Sequence, residues 1–265
     1  MATTLENLYY HDAGDGPKLL KYNDLYLGVL ASGGTPTPTY PTTNLLARYD
    51  FNDSLADTYG SYNGLQDYSS PAVWTYGNGL RDNAYQSNYT GSEDISKIML
   101  KQTDAAIYGI WNGTGDANAI SFWVKVLSAY NPSVSQQLIQ FRVGTIKIYV
   151  GICGSGEVWS GGANGGIYWL DSIGGFHQYA DTQDLRDDTW HHIVINRDST
   201  NTQIYLDTIS TLTITNQAYS NTSVEFAGEL GTGRPLYGSM DLLYFYDKTL
   251  DTSEIAELYN SGAGA

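Results

Sequence analysis

Short runs of alternating apolar and polar residues recur along this chain, and they limit its fold more than any other feature. In Ala119–Val126, the residues Ile120, Phe122, Val124 and Val126 take every second position. Ile146, Ile148, Val150 and Ile152 repeat the spacing, with Lys147 and Tyr149 between them. Ile204 and Leu206, then Leu212 and Ile214, do the same, and Met240, Leu242, Tyr244 and Tyr246 mark a late strand. A period of two belongs to the strand, whose successive side chains point to opposite faces. Gly, Asn and Asp punctuate these runs, so the expected class is all-β, a sandwich of antiparallel sheets. The 23 tyrosines and 29 glycines among 265 residues agree with it: tyrosine suits a half-buried pleated surface, and glycine supplies positive φ in turns. One helix is expected near the C-terminus. Asp251-Thr252-Ser253-Glu254 reads as its start, Ile255, Leu258 and Tyr259 as its apolar stripe, and Gly262 as its stop.

Charge narrows the partners. With 13 Lys and Arg against 28 Asp and Glu, the net charge is −15. Phosphate neutralisation needs clustered cations, which excludes nucleic acid and argues equally against anionic membrane surfaces. No apolar run approaches the ~18 residues of a membrane span. The opening Met-Ala-Thr-Thr-Leu-Glu-Asn has neither the basic nor the apolar region of a secretion signal, and the lone Cys153 allows no intrachain disulfide. Both features predict folding in a reducing cytosol. Cys153 reads as a small residue at a strand end rather than a reactive thiol, because no basic neighbour in the sequence lowers its pKa.

Three segments are expected. Residues 33–43 alternate Pro with Thr and Tyr, an extended polyproline-type linker. It separates a short N-terminal piece, 1–32, from the body, 44–265. Within the short piece, the apolar runs Lys18–Tyr22 and Leu25–Val29 flank Asn23-Asp24, the pattern of a β-hairpin. An isolated hairpin is marginal in water, so this one is expected to dock on a partner or on copies of itself.

Separated pieces of the body share one order with a known family. Leu45–Asp53 ends in Tyr-Asp-Phe-Asn-Asp and leads to Leu55-Ala56-Asp57 and Gly60. Ile120-Ser121-Phe122-Trp123-Val124-Lys125 follows, then Trp190-His191-His192-Ile193-Val194 with Arg197-Asp198. Ile204-Tyr205-Leu206-Asp207 comes next, and Gly238-Ser239-Met240-Asp241 leads into the helix. This series resembles the laminin-G-like jelly rolls of the concanavalin A-like lectin/glucanase superfamily across nearly all of 44–265. The resemblance implies a two-sheet antiparallel jelly roll. Thr208 departs from it, standing where the family's Asp-Gly turn has Gly, and a longer or different turn is expected there. Asn52 also departs from it, standing where the family often has Asp.

Calcium is a candidate cofactor on this resemblance, held by Asp53, Asp57 and Asp241 with Asn52 in support, because hard oxygen donors suit it. Asp57 reads equally well as a turn residue that bonds its own backbone. The family's hydrolases carry Glu-x-Asp-x-x-Glu on one strand, and no such stretch occurs here, so the chain is expected not to be an enzyme. His191 and His192 are adjacent and would face opposite sides of a strand, so they cannot share one ion.

Sugar binding needs aromatic platforms with a few placed polar groups. Trp159, Asn164, Tyr168, Trp169, Asp171, His177 and Tyr179 supply that mixture in a glycine-rich stretch, and Trp111 beside Tyr108 and Asn112 forms a second candidate. Tyr168 and Trp169 read equally well as strand residues, one buried and one exposed. The leading expectation is a lectin-like adhesion protein of a phage virion. It would be assembled in the host cytoplasm, attached to other virion proteins through residues 1–43, with a homotrimer among the expected assemblies, and bound to host surface polysaccharide. A structural decoration protein and a glycoside hydrolase of the same fold are the alternatives.

Overall fold

The computed structural model describes residues 9–10, 18–19, 40–67, 74–87, 98–111, 117–128, 135–143, 146–154, 165–171, 176–179, 183–216, 221, 223–226 and 236–264. The chain divides into two compact units, Met1–Pro38 and Thr39–Ala265, with the division inside the Pro/Thr segment. In the first unit, β1 (Tyr9–Tyr10) pairs antiparallel with β2 (Lys18–Leu19). The expected turn at Asn23-Asp24 lies outside the described residues.

The second unit is a β-sandwich. In chain order its strands are β3 (Leu45–Tyr49), β4 (Leu65–Asp67), β5 (Trp74–Asn78), β6 (Asn83–Ser87), β7 (Ile98–Gln102), β8 (Asn118–Val126), β9 (Gln136–Val143), β10 (Ile146–Ile152), β11 (Ile167–Asp171), β12 (Phe176–Tyr179), β13 (Trp190–Arg197), β14 (Asn201–Leu206), β15 (Ile209–Thr215), β16 (Ser223–Phe226) and β17 (Gly238–Tyr246). A short helix, α1 (Ala105–Tyr108), and a C-terminal helix, α2 (Thr252–Tyr259), complete the unit. The front sheet runs β12-β11-β10-β9-β16-β7-β4; the back sheet runs β15-β14-β13-β8-β17-β6-β5, with β3 also on β17. Every pairing is antiparallel. The all-β antiparallel jelly-roll class with one short C-terminal helix is therefore what the chain adopts. Among the described residues no helix is long and apolar enough to cross a membrane.

The alternating positions seal the space between the sheets. Ile120, Phe122, Val124 and Val126 of β8 join Ile139, Phe141, Ile148, Val150 and Ile152 of the front sheet in one buried cluster. The central strands of the back sheet are buried on their other face as well. There Ala119, Trp123, Val194, Leu242, Tyr244 and Tyr246 pack under Leu250, Ile255 and Leu258. Two devices hold α2 in that position. Asn196 treats Leu250 as a strand neighbour: its Nδ2 donates to the Leu250 carbonyl (2.8 Å) and its Oδ1 accepts from the Leu250 N–H (2.9 Å). Asp251 then caps the helix, accepting from the N–H groups of Ser253 and Glu254, while Glu254 accepts from the Asp251 N–H. The helix stops at Asn260 in the left-handed region (φ 45°), two residues before the expected Gly262.

Burial on both faces constrains β17, whose nine residues are all buried. A bulge lies between the pairs Asp241↔Trp123 and Tyr244↔Ser121, and Leu242 takes φ 46°. The extra residue shifts the alternation by one. Met240, Leu243 and Phe245 therefore point between the sheets, while Leu242, Tyr244 and Tyr246 point towards α2. Met240 and Leu242, two apart in sequence, end on opposite faces.

The histidine pair is divided between faces, as its adjacency requires. His192 is fully buried, bonded to Ser121 Oγ (2.7 Å) and stacked on Trp123 at 5.0 Å, and burial pushes its pKa down to about 3. The other histidine, His191, meets two carboxylates, with Nδ1 2.8 Å from Asp207 and Nε2 3.2 Å from Asp187. Burial alone would lower its pKa, but the hydrogen bond and charge of Asp207, with Asp187, outweigh that and raise it. Asp207 also accepts from the His192 N–H and so anchors the β14–β15 turn. That turn keeps two residues despite Thr208: Leu206 pairs with Ile209, and Asp207 and Thr208 take φ 48° and 75°. The expected change of turn does not occur. Thr208 adopts the conformation that glycine would adopt freely, because the pairing on both sides sets it.

Thr208→Gly is expected to raise stability by about 0.5–1 kcal/mol, since relief of a β-branched side chain at positive φ exceeds the entropy of glycine; denaturant melts with an unchanged slope would show it. His191 gives a pH signature. Its folded pKa lies above the usual 6.5, so its stabilisation is complete below that value and is lost as pH rises through the folded pKa. The melting-temperature advantage of the wild type over His191→Gln is expected to be largest in mild acid and to shrink through neutral pH.

Candidate functional site

The four residues expected to hold calcium do not converge on one point. Asp57 serves its own loop: Oδ1 accepts from the N–H groups of Arg48, Tyr59 and Gly60 at 2.9–3.0 Å, and Oδ2 accepts from that of Tyr62 (3.0 Å). This is the turn-residue alternative. Asn52 and Asp53 grip Asn83, one accepting from its backbone N–H and the other from its side-chain amide. Asp241 is fully buried and accepts from the N–H groups of Leu80, Arg81 and Leu242. Burial pushes its carboxyl up to about 7 against the pull of these three donors. Each oxygen donor thus already faces the positive end of an N–H group, which a cation cannot replace without movement. Among the described residues no three His, Cys, Asp or Glu come together to hold a metal. As arranged, the four residues do not fit a calcium ion.

The aromatic candidates separate by strand position. Trp111 and Trp169 are each 2% exposed and belong to the cluster between the sheets. Trp111 lies on Phe141 with ring centroids 4.8 Å apart, and its carbonyl accepts from Arg197 (3.0 Å). Indoles enclosed in this way present no face to a sugar, so both are core residues. Tyr168 takes the opposite parity and packs on the outer side of the front sheet with Tyr149, Cys153 and the partly buried Leu170, where it is as buried as Trp169 (2% exposed); the expectation that one of the pair is exposed does not hold, because this side of the sheet is covered as well. Glycine at 151 makes this possible, since a Cβ there would lie 2.6 Å from the Tyr168 ring. The β11–β12 register sets Tyr179 opposite Tyr168 and His177 opposite Leu170, while Asp171 pairs with Phe176. Trp159 and Asn164 lie outside the described residues, as does Asn112.

The outer face of the front sheet carries a further arrangement. Register aligns Leu65, Lys101, Glu225, Gln140, Tyr149, Leu170 and His177 as one row across seven strands. Glu225 is completely buried in it. Its carboxylate accepts from Gln140 Nε2 (2.6 Å) and Ser223 Oγ (3.4 Å) and lies 3.2 Å from Arg142 Nε and 3.9 Å from Lys101 Nζ. A buried carboxylate is tolerable only with such company. Gln140 is also completely buried, and its Oε1 is left without a hydrogen-bond partner. Lys101 and Arg142 keep about a quarter of their side chains exposed, at 25% and 22%. The row therefore holds sealed acceptor oxygens beside two partly exposed cations and ends at Tyr149 and the partly buried Leu170. Lys101, Gln140, Tyr149, Arg142 and Glu225 were not singled out from sequence. Their alternation with core residues was visible, but six separate registers were needed to set them in one line.

Several solved structures share this fold. Domain 4 of an extracellular arabinanase from Geobacillus stearothermophilus, in complex with arabinotriose, aligns with a TM-score of 0.60 at 16% identity, over 81% of this chain and 97% of that one. The binding domain of Paraclostridial Mosquitocidal Protein 1 aligns at 0.59 and 15% identity, over 83% of this chain and 52% of that one. Trypanosoma rangeli sialidase, in complex with the inhibitor DANA, aligns at 0.60 and 12% identity, over 85% of this chain and 34% of that one. This chain thus spans about half of the toxin domain and a third of the sialidase. No curated protein sequence matches it. At these identities the structural likeness concerns the fold, and the sequence supplies the family: residues 102–256, more than half of the chain, match its profile, and the chain belongs to the concanavalin A-like lectin/glucanases superfamily.

Proposed function

We propose that this chain is a lectin-like adhesion module of a phage virion that binds host surface polysaccharide on the outer face of its front sheet. The observation that carries the reading is the row Lys101–Glu225–Gln140–Tyr149–Leu170, in which Glu225 and Gln140 are sealed while Lys101, Arg142 beside it and Leu170 stay partly exposed. The two cations are donors for sugar hydroxyls, and the Tyr149 and Leu170 end of the row suits pyranose C–H groups. A fold neighbour solved with arabinotriose supports the same class of ligand.

Binding without turnover is the simpler reading of the row. Glycoside hydrolysis uses a pair of carboxylates, and Glu225 is the one carboxylate that register puts in line with Gln140 and Tyr149. Glu225 is moreover occupied with Arg142, Lys101 and Gln140. Attachment to the particle falls to residues 1–43, whose compact N-terminal unit ends at Pro38.

The test is binding of the full chain to purified host surface polysaccharides, with arabinan and sialyl oligosaccharides as further probes. Tyr149→Ala is expected to weaken the best binder about tenfold, ~1.4 kcal/mol, and Lys101→Gln to weaken it further, with both variants retaining wild-type melting cooperativity. Failure of the wild type to bind any of these would leave a structural decoration protein as the better account. Product release abolished by Glu225→Gln would instead mark a hydrolase. Particles made with and without residues 1–43 are expected to differ in whether they retain the chain.

A further inference from the structure

We infer that two copies of this chain pair through β15, edge to edge, and make one continuous back sheet. β15 closes the back sheet on one side and, among the described residues, pairs with β14 alone. An open edge presents unpaired N–H and C=O groups, and proteins normally blunt it with charge, proline or shortness. Three other edges follow that rule: β4 has three residues and contains Asp67, β12 has four residues, and β3 contains Arg48. β5, the far edge of the back sheet, has neither charge nor proline but is only five residues long. At β15 none of these devices is present. Its seven residues, Ile-Ser-Thr-Leu-Thr-Ile-Thr, include neither a charge nor a proline, and Ile214 alone is buried. Ile209 at its start is 68% exposed, the largest value among the exposed large apolar residues described. β12, the facing edge of the other sheet, comes near β15 but does not pair with it.

The occupant is a second copy for two reasons. First, the chain carries a net charge of −15, so a like copy is repelled except where the surface is neutral, and residues 208–224 contain no charged side chain. Second, β15 complements itself. An antiparallel pairing centred on Leu212 sets Thr211 opposite Thr213 of the second copy, and the reverse, on the face away from the core. On the other face Leu212 meets its own counterpart beside the core-facing Ile214. Thr–Thr pairs are favourable cross-strand neighbours. The two-fold axis of such a pair stands perpendicular to the sheet, so both front sheets face the same way. If the front row binds glycan, as proposed above, the pair is bivalent and gains avidity without a new contact. The pairing itself does not depend on that reading.

The experiment is solution mass by light scattering on the full chain over a concentration series. A strand-edge contact is small, so a dimer that dissociates on dilution is expected. The double variant Thr211→Lys with Thr213→Lys sets lysine against lysine and is expected to be monomeric, as is Thr211→Asp with Thr213→Asp. An equimolar mixture of the two is expected to recover the dimer, which also shows that each variant is folded. A wild type that stays monomeric at its highest soluble concentration overturns the inference. So does a trimer, a dimer that survives both charged variants, or a mixture that remains monomeric. Glycan binding by a monomeric wild type would overturn the pairing while leaving the binding site intact.

Discussion

Burial of the central strands of the back sheet on both faces is the constraint on which the rest of the structure depends. A sheet in a two-layer sandwich commonly turns one face to water. Here β8, β13 and β17 turn one face to the front sheet and the other to α2. Both parities along these strands must then be apolar or satisfied. Trp123 and His192 are large, lie on the outer parity and stack, with the histidine kept neutral by its burial. The Asn196–Leu250 exchange supplies the backbone partners that the segment leading into α2 would otherwise lack.

The front sheet is built differently. Its inner face completes the main core, while its outer side buries polar and aromatic groups, among them Glu225, Gln140, Tyr149 and Tyr168. A carboxylate in the main core would be far harder to accommodate, because no Lys or Arg could reach it without also being buried. On the outer face, Lys101 and Arg142 neutralise Glu225 while keeping part of their side chains in water.

At two positions, pairing on both sides imposes strain on a residue that would otherwise avoid it. Leu242 takes positive φ at the β17 bulge, and Thr208 takes it in the β14–β15 turn. In each case neighbouring residues are held in register by many bonds, so the cost falls on one residue. The bulge also brings Asp241 against the N–H groups of Leu80 and Arg81, which ties the β5–β6 turn to the sheet.

The sequence by itself determined the fold class, the strands with the clearest alternation and the capped C-terminal helix. Those features depend on local periodicity and local hydrogen bonds, and both are written in consecutive residues. It also carried the departure at Thr208, but not its outcome, because the register of the flanking strands outweighs the preference of one turn residue. Tertiary structure alone decided which aromatic side chains are core. Trp111 and Trp169 read as binding residues until the packing enclosed them, and Tyr168 reached the outer face because it is one position away from Trp169. It alone decided that Asp57 serves its own loop while Asp53 and Asp241 both hold the β5–β6 hairpin, and that Lys101, Glu225, Gln140 and Tyr149, from four strands, share one line. Alternation tells which residues share a face within a strand. The alignment between strands depends on hydrogen-bond register across residues distant in sequence, and that exists only once the sheet has formed.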